Sequence, residues 1–379
     1  MQKKVIHLSQ SDIRFDSRII KEMSCIAKLG LLVIGIGVDR EVTINDQVTE
    51  SKIKVVSLKI NSRSFRKIPR IVRYILTFIE MYSKMFYQGL KIKPHLIHCH
   101  DYHVLPIAIL LRMFTKAKVI YDAHELESNT NGLSPWLGKI IFWIERLSWK
   151  YIDELIVVSP SIEDWYRKNI GYKSTTIILN APHFENNNHI KTNYLREFFS
   201  IPEDSKIFIY VGMLVSGRGI NLIRESFKSA GVTASVVFLG EGELMPALNQ
   251  DSKKFKNIYV HKRVAHDLVV PIVTSADYGL CLIENVALSD YYCLPNKFFE
   301  YIFAGIPVLA SRFPDMEAII EQNNVGVCCD LELDEIIKSI NKMNSIDLCK
   351  DVDFESLSIF SWQAQEQKLN NLYMKLFQN

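Results

Sequence analysis

The sequence predicts an α/β protein of two doubly wound domains, one after the other. Short apolar strands alternate with helix-like stretches through the first half of the 379 residues. A polar, asparagine-rich segment, APHFENNNHIKTNY at 181–194, interrupts this pattern, which then resumes almost to the end. Near-continuous apolar strands joined by helices indicate parallel sheets covered on both faces. We expect a first domain over 1–182, joined by a final segment at 358–379, and a second domain over 183–357.

Each element follows from a short stretch. In the first half the strand candidates are 3–9, 31–38, 52–60, 95–101, 118–124, 154–160 and 174–180, with helical patterns such as 17–29, 68–90 and 138–151 between them. After the linker they are 206–213, 234–241, 257–264, 277–284, 306–311 and 325–330. A last helix pattern, 361–377, follows the second core and is expected to cross back to the first domain. Open parallel sheets bind ligands beyond the carboxyl ends of their strands. With two such domains facing each other, the cleft between them is the expected site.

Composition narrows the class. Hydrophobic residues make up 48% and charged residues 23%, as in ordinary soluble proteins. The longest strongly apolar run, GLLVIGIGV at 30–38, is too short for a bilayer, which takes roughly 20 residues. The N-terminus has no apolar stretch long enough for a signal peptide. Seven cysteines, an odd number without metal-ligand spacing, read as reduced; Cys99, Cys281 and Cys328 lie in strand-like runs as small hydrophobes. The cytoplasm is the expected compartment.

The net charge of +3 hides an asymmetry. Between Lys59 and Lys93 nine basic residues face Glu80 alone, a net +8 that leaves −5 elsewhere. Arg66, Arg70 and Arg73 follow helical spacing, interleaved with Phe65, Tyr74 and Phe78. The plain alternative is a solvated amphipathic helix over the first sheet. The charge points to an anionic membrane surface, bound peripherally on the inner face of the cell membrane. No recognised nucleic-acid motif accompanies it, so no nucleic acid is expected.

Three stretches can carry chemistry. In YVGMLVSGRGINLIRESF, at 210–227, a buried strand ends at Gly212, and Arg218 and Gly219 open a helix whose N–H groups suit a phosphate. The plain alternative is a strand-to-helix loop with a solvated arginine. In LPNKFFE, Pro295 begins a turn that frees the N–H groups of Asn296 and Lys297, and Glu300 follows one turn deeper. A phosphate at the helix start and a carboxylate one turn on match a nucleotide, diphosphate first and ribose hydroxyls next. The alternative is Glu300 as a surface residue. IYDAHELESN, at 120–129, ends a first-domain strand with His124 and Glu125, polar groups that would line the cleft. HCHDYH invites a metal reading, but His98 and His100 alternate onto one face of a buried strand without an acidic or thiol partner at ligand spacing. No metal is expected.

Together these motifs resemble glycosyltransferase family 4, which has the GT-B fold, and in particular bacterial members that build surface polysaccharides such as capsule or O-antigen. The resemblance runs through DSRIIKEMSCIAKLG, HCHDYHVLPIAI, VIYDAHELES, YVGMLVSGRGI, FLGEGEL, LPNKFFEYIFAGIPVLAS and FSWQAQEQKLNNLY, nearly the whole chain. It implies retaining transfer from a nucleoside diphosphate sugar to a glycan or lipid-linked acceptor, without cofactor or metal. Glu300 looks like the second glutamate of the family's E-x7-E motif, which holds the ribose. Asn296 and Lys297 would meet the diphosphate through their backbone, Arg218 resembles one of two basic phosphate ligands, and His124 corresponds to the histidine facing the transferred sugar. His124, Arg218 and Lys297 are thus implied as the groups serving the chemistry.

Two positions depart from the family pattern. Tyr292 stands where the first glutamate of E-x7-E would fall, and Met213 where the first basic phosphate ligand would fall. Glu284 is the expected substitute for the former, and Lys297 for the latter's charge. Absence of a glycosidase-like carboxylate pair argues against hydrolysis. A nucleotide-sugar epimerase would need several acidic residues in the cleft. A non-catalytic partner subunit would account for Tyr292 and Met213.

Overall fold

The computed structural model describes residues 2–39, 53–65, 67–184, 191–265, 268–345 and 356–378. The chain forms two compact units: Met1–Ile178 with Glu366–Asn379, and Leu179–Gln365.

In the first unit the elements run β1 (Lys4–Leu8), α1 (Ser17–Lys28), β2 (Leu32–Val38), β3 (Ile53–Leu58), α2 (Arg70–Ile92), β4 (Leu96–His100), α3 (Leu105–Thr115), β5 (Lys118–Ala123), α4 (Pro135–Ser148), β6 (Glu154–Val157), α5 (Pro160–Asn169) and β7 (Thr175–Ile177). The seven strands are parallel, in the order β3-β2-β1-β4-β5-β6-β7. β1 and β4 are almost wholly buried, their histidines included. Asp16 caps α1, its carboxylate accepting from the Ile19 N–H. Strand order reverses between β1 and β4. Right-handed crossovers therefore place α1 on one face of the sheet and α2, α3 and α4 on the other. α3 packs beside both α2 and α4.

The second unit holds α6 (Tyr194–Phe199), β8 (Ile207–Val211), α7 (Ile220–Lys228), β9 (Ser235–Leu239), α8 (Met245–Lys254), β10 (Ile258–His261), α9 (Val269–Val273), β11 (Tyr278–Cys281), α10 (Leu288–Tyr291), α11 (Asn296–Phe303), β12 (Val308–Ser311), α12 (Pro314–Asn323), β13 (Gly326–Cys329) and α13 (Leu333–Ser345). Its six parallel strands run β10-β9-β8-β11-β12-β13, reversing between β8 and β11. One core cluster gathers Phe208, Tyr210, Phe227, Phe238 and Leu280 with the inner faces of α7 and α13.

The last helix, α14 (Trp362–Gln378), returns to the first unit from Glu366 onward. It lies along α1, where the Cys25 thiol reaches Asn370 Oδ1 at 3.1 Å. Lys3 and Lys118 donate to the carbonyls of Phe377 and Leu376, both at 2.6 Å. Two cations at the negative end of the helix dipole hold it in place.

Candidate functional site

Each unit collects polar side chains where its strand order reverses, the place an open α/β sheet offers a ligand. In the second unit β8 leads to Gly212, and the following loop reaches Gly219 at the start of α7. Gly219 has φ 71°, and a Cβ there would lie 2.0 Å from the Leu282 carbonyl oxygen, so only glycine fits. Its N–H donates to Glu284 Oε1 at 3.2 Å. The sequence reading left this helix start open for phosphate and offered Glu284 as a donor-sugar ligand. Instead the Glu284 carboxylate occupies the first N–H, because β11 is the immediate neighbour of β8 and delivers it there. An anion at a helix start is electrostatically favourable, and here the protein supplies it.

α11 is seated by its aromatic residues. Phe298, Phe299 and Tyr301 are buried, and the Tyr301 hydroxyl accepts from the Val211 N–H at 2.8 Å and donates to the Leu280 carbonyl at 3.3 Å. Gly279 makes room for that ring, since a Cβ there would come within 2.3 Å of it. Glu300 is only 5% exposed, which removes the surface-residue alternative. Asn296 and Lys297 form the first turn, and the Lys297 ammonium sits 3.9 Å above the Tyr210 ring centre.

Two cations meet around one strand end. Burial pushes the Cys281 thiol, last residue of β11, up to about 11, while the charges of Lys297 and Arg218 pull it down. Arg218 also stands 3.7 Å from Asp290 Oδ1. Sequence reasoning missed Asp290. It is 8% exposed, its Oδ2 is buried without a hydrogen-bond partner, and burial raises its pKa against the pull of Arg218. Met213 is 68% exposed, outside this packing.

The first unit builds a different cluster from residues alternating onto one face of three adjacent strands. His7 of β1 stands beside His98 of β4, and His100 beside Asp122 of β5, with His124 just beyond the strand end. His7 Nδ1 meets His100 Nε2 at 3.0 Å, and His100 Nδ1 meets His124 Nε2 at 3.1 Å. The Tyr373 hydroxyl of α14 closes on His98 Nδ1 at 2.7 Å. From α1, Arg18 donates to Asp122 at 3.2 Å and its Nε lies 3.1 Å from Glu22 Oε1, and Arg18, Glu22 and Asp122 are all buried.

Protons are distributed unevenly here. Burial opposes a charge on His124, but Asp101 and Asp122 outweigh it and raise its pKa to about 9. Burial lowers His7, His98 and His100, with His98 near 3. Asp122 stays ionised, held far below the usual carboxylate range by Arg18 and His124 against burial. Glu22 is raised to about 8 by burial and by the Asp122 charge. A protonated His124 donates from Nε2 to Asp122, 3.3 Å away, and to His100. His100 Nε2 and His7 Nδ1 share a further hydrogen bond at 3.0 Å.

Two groups bring potential ligand atoms within 4.8 Å of one another: His7, Glu22, His98 and His100; and His100, Asp122 and His124. The sequence reading found no acidic partner for His98 and His100, yet α1 and β5 supply Glu22 and Asp122. The donor set still suits a guanidinium rather than a dication. Arg18 already pairs with both carboxylates, and His7, His100 and His98 Nδ1 are engaged with one another, with His124 or with Tyr373, leaving His98 Nε2 without a hydrogen-bond partner.

Of the basic residues, Arg66 lies outside the described residues. Arg70 donates to the Tyr74 hydroxyl at 3.0 Å. Arg73 lines a cavity of about 530 Å³ with Gln10, Arg63, Tyr74, Phe78 and Met81, beyond the carboxyl end of β1.

Solved structures share this architecture over their whole length. Sucrose-phosphate synthase from Thermosynechococcus elongatus superposes with a TM-score of 0.80 at 16% identity, covering 99% of both chains. Anabaena HepE, solved with UDP-glucose, gives 0.72 at 12% identity, covering 98% of this chain and 99% of that one. Residues 32–182 match the glycosyl transferase 4-like domain family. The chain has the GT-B fold, with a glycosyl transferase 4-like domain over residues 32–182. This GT-B chain also aligns with the chitobiosyldiphosphodolichol beta-mannosyltransferase of Kluyveromyces lactis, 21% identical over 259 residues, covering 59% of this chain and 57% of that protein. The Bacillus subtilis glycosyltransferase TuaC, named for teichuronic acid biosynthesis, is 24% identical over 159 residues, covering 41% and 40%. The matched region thus spans about half the length of these relatives or less.

Proposed function

We propose that this chain transfers a sugar, with retention of configuration and without a metal, from a nucleoside diphosphate sugar to a glycan or lipid-linked acceptor of a bacterial surface polysaccharide. The observation that carries the reading is Glu300, a carboxylate buried one turn inside α11, past a helix start that bears Lys297. A carboxylate at that depth can accept from a pair of ribose hydroxyls. That HepE was solved with UDP-glucose supports a nucleotide sugar as donor.

Breaking the glycosidic bond to phosphate builds negative charge on the leaving diphosphate. Arg218, Lys297 and the first N–H groups of α11 stabilise that charge electrostatically, the task a metal performs elsewhere. Asp290, two residues before Tyr292, is the carboxylate we assign to the donor sugar hydroxyls. His124 keeps its proton above neutral pH and serves the transfer step as a fixed positive donor. The acceptor hydroxyl attacks on the face the diphosphate leaves, and its proton passes to that phosphate. The cavity holding Arg63 and Arg73 among Tyr74 and Phe78 suits an acceptor that carries both phosphate and sugar. Peripheral attachment to an anionic membrane through the basic residues of α2, Arg70 and Arg73, would bring a lipid-linked acceptor within reach.

A non-catalytic partner subunit is the second reading, favoured by exposed Met213 and by Tyr292. Release of nucleoside diphosphate from a panel of UDP- and GDP-sugars, with and without EDTA, separates the two. The enzyme reading expects turnover of one donor that EDTA leaves unchanged. Binding of a donor without turnover on any acceptor tried supports the partner subunit.

A further inference from the structure

The outer face of α4 is apolar and basic at once. Trp136, Ile140, Trp143 and Leu147, spaced three or four apart, are 66%, 45%, 55% and 68% exposed. Large apolar side chains aligned along one helix face and left in water mark an interaction surface. Lys139, Arg146 and Lys150 are exposed along the same face, and the Arg146 guanidinium lies 5.5 Å from the Trp143 ring centre. The one carboxylate of α4, Glu145, is turned inward and buried, accepting from the Tyr121 and Tyr166 hydroxyls. Beside α4, α3 exposes Leu110, Met113 and Phe114 and contains no acidic residue.

We propose that the outer faces of α4 and α3 form a membrane-docking element that enters the interfacial layer of an anionic lipid bilayer. Tryptophan and leucine settle at the headgroup–acyl boundary, while lysine and arginine lay their alkyl stems along the apolar surface and raise their charges to the phosphates. Charge decides the occupant. In a two-fold dimer through this face the three cations would confront their own copies, with no exposed carboxylate on α3 or α4 to answer them. A sheet of lipid phosphates answers all three. No helix among the described residues is long and apolar enough to cross a membrane, so the element lies on the surface. It extends the peripheral attachment proposed through α2 to a second surface, carried by apolar insertion as well as charge, and is independent of the donor site.

The test is flotation of the full chain with vesicles of phosphatidylcholine alone or with phosphatidylglycerol added. Wild type, Trp136→Ser/Trp143→Ser and Arg70→Gln/Arg73→Gln are compared, with nucleoside diphosphate affinity measured on each as a control for folding and for the donor site. Wild type is expected to float only with the anionic vesicles, and the tryptophan variant to lose about tenfold in bound fraction with nucleotide affinity unchanged. Brominated phosphatidylglycerol should quench wild-type fluorescence but not that of Trp136→Phe/Trp143→Phe. Equal flotation of wild type and the tryptophan variant, or loss only in the arginine variant, overturns the proposal. So does a wild type that never floats, including one whose self-association the tryptophan variant abolishes, which would assign the face to a second copy.

Discussion

The Asp122 carboxylate stands 3.3 Å from Nε2 of His124, with Arg18 3.2 Å from its other oxygen. This places a permanent anion under the histidine and raises its pKa from 6.5 to about 9, with Asp101 assisting and burial opposing. A histidine whose folded pKa is raised stabilises fully below its unfolded value. That contribution, on the order of 3 kcal/mol at most, fades as pH climbs through about 9. Denaturant titrations of wild type and His124→Gln at pH 6 to 10 should therefore converge with rising pH. The His124 charge also lowers the Glu22 pKa, so both proteins are compared on a Glu22→Gln background. Profiles that stay parallel throughout would mean that His124 carries no charge.

Replacing His124 should also divide the kinetic constants. An interaction made mainly in the transition state appears in kcat and leaves KM largely alone. We expect His124→Gln to lower kcat by about a hundredfold, the scale of losing one stabilising donor. Near wild-type turnover would leave His124 a purely structural role.

Arg218 has an outside partner in Asp290 but faces the same strand end as Lys297. Arg218→Ala should weaken a nucleoside diphosphate ten- to a hundredfold, about 1.5–3 kcal/mol for a charge-assisted hydrogen bond. A nucleoside monophosphate should lose less. Equal losses for both ligands would move Arg218 away from the second phosphate.

Asp290 gives a prediction of another kind. Its assigned partner is the sugar, so Asp290→Asn should weaken the intact nucleotide sugar about tenfold, at the scale of one hydrogen bond to a charged group. The nucleoside diphosphate alone should bind as before. Calorimetry with both ligands decides it, and an equal effect on both would return Asp290 to the role of a partner for Arg218.

What was legible in the sequence follows from the range of the interactions. The strands could be read because parallel strands buried on both faces are apolar nearly throughout, as β2 and β8 are. Glu300 stood out because a carboxylate among phenylalanines is a local contradiction. The Arg18–Asp122–His124 arrangement was not read, since it needs the register that sets His100 beside Asp122 and the packing of α1 over that face. One local trace existed: His98 and His100, then Asp122 and His124, share the alternation of their strands. The capping of Gly219 by Glu284 depends on β8 and β11 being neighbours although 65 residues separate the pair. The tryptophans of α4 give no sequence signal of their own, because only the packing shows which face of that helix is left uncovered.

The central claim is that Glu300 holds the ribose of a nucleoside diphosphate. Its most direct test is a calorimetric cycle with wild type and Glu300→Ala, each titrated with the preferred nucleoside diphosphate and with its 2′,3′-dideoxy analogue. Wild type should favour the ribonucleotide by about ten- to a hundredfold. Glu300→Ala should bind both ligands alike, at the affinity wild type shows for the analogue. If the variant still discriminates as wild type does, Glu300 does not touch the ribose and the assignment of the donor site fails.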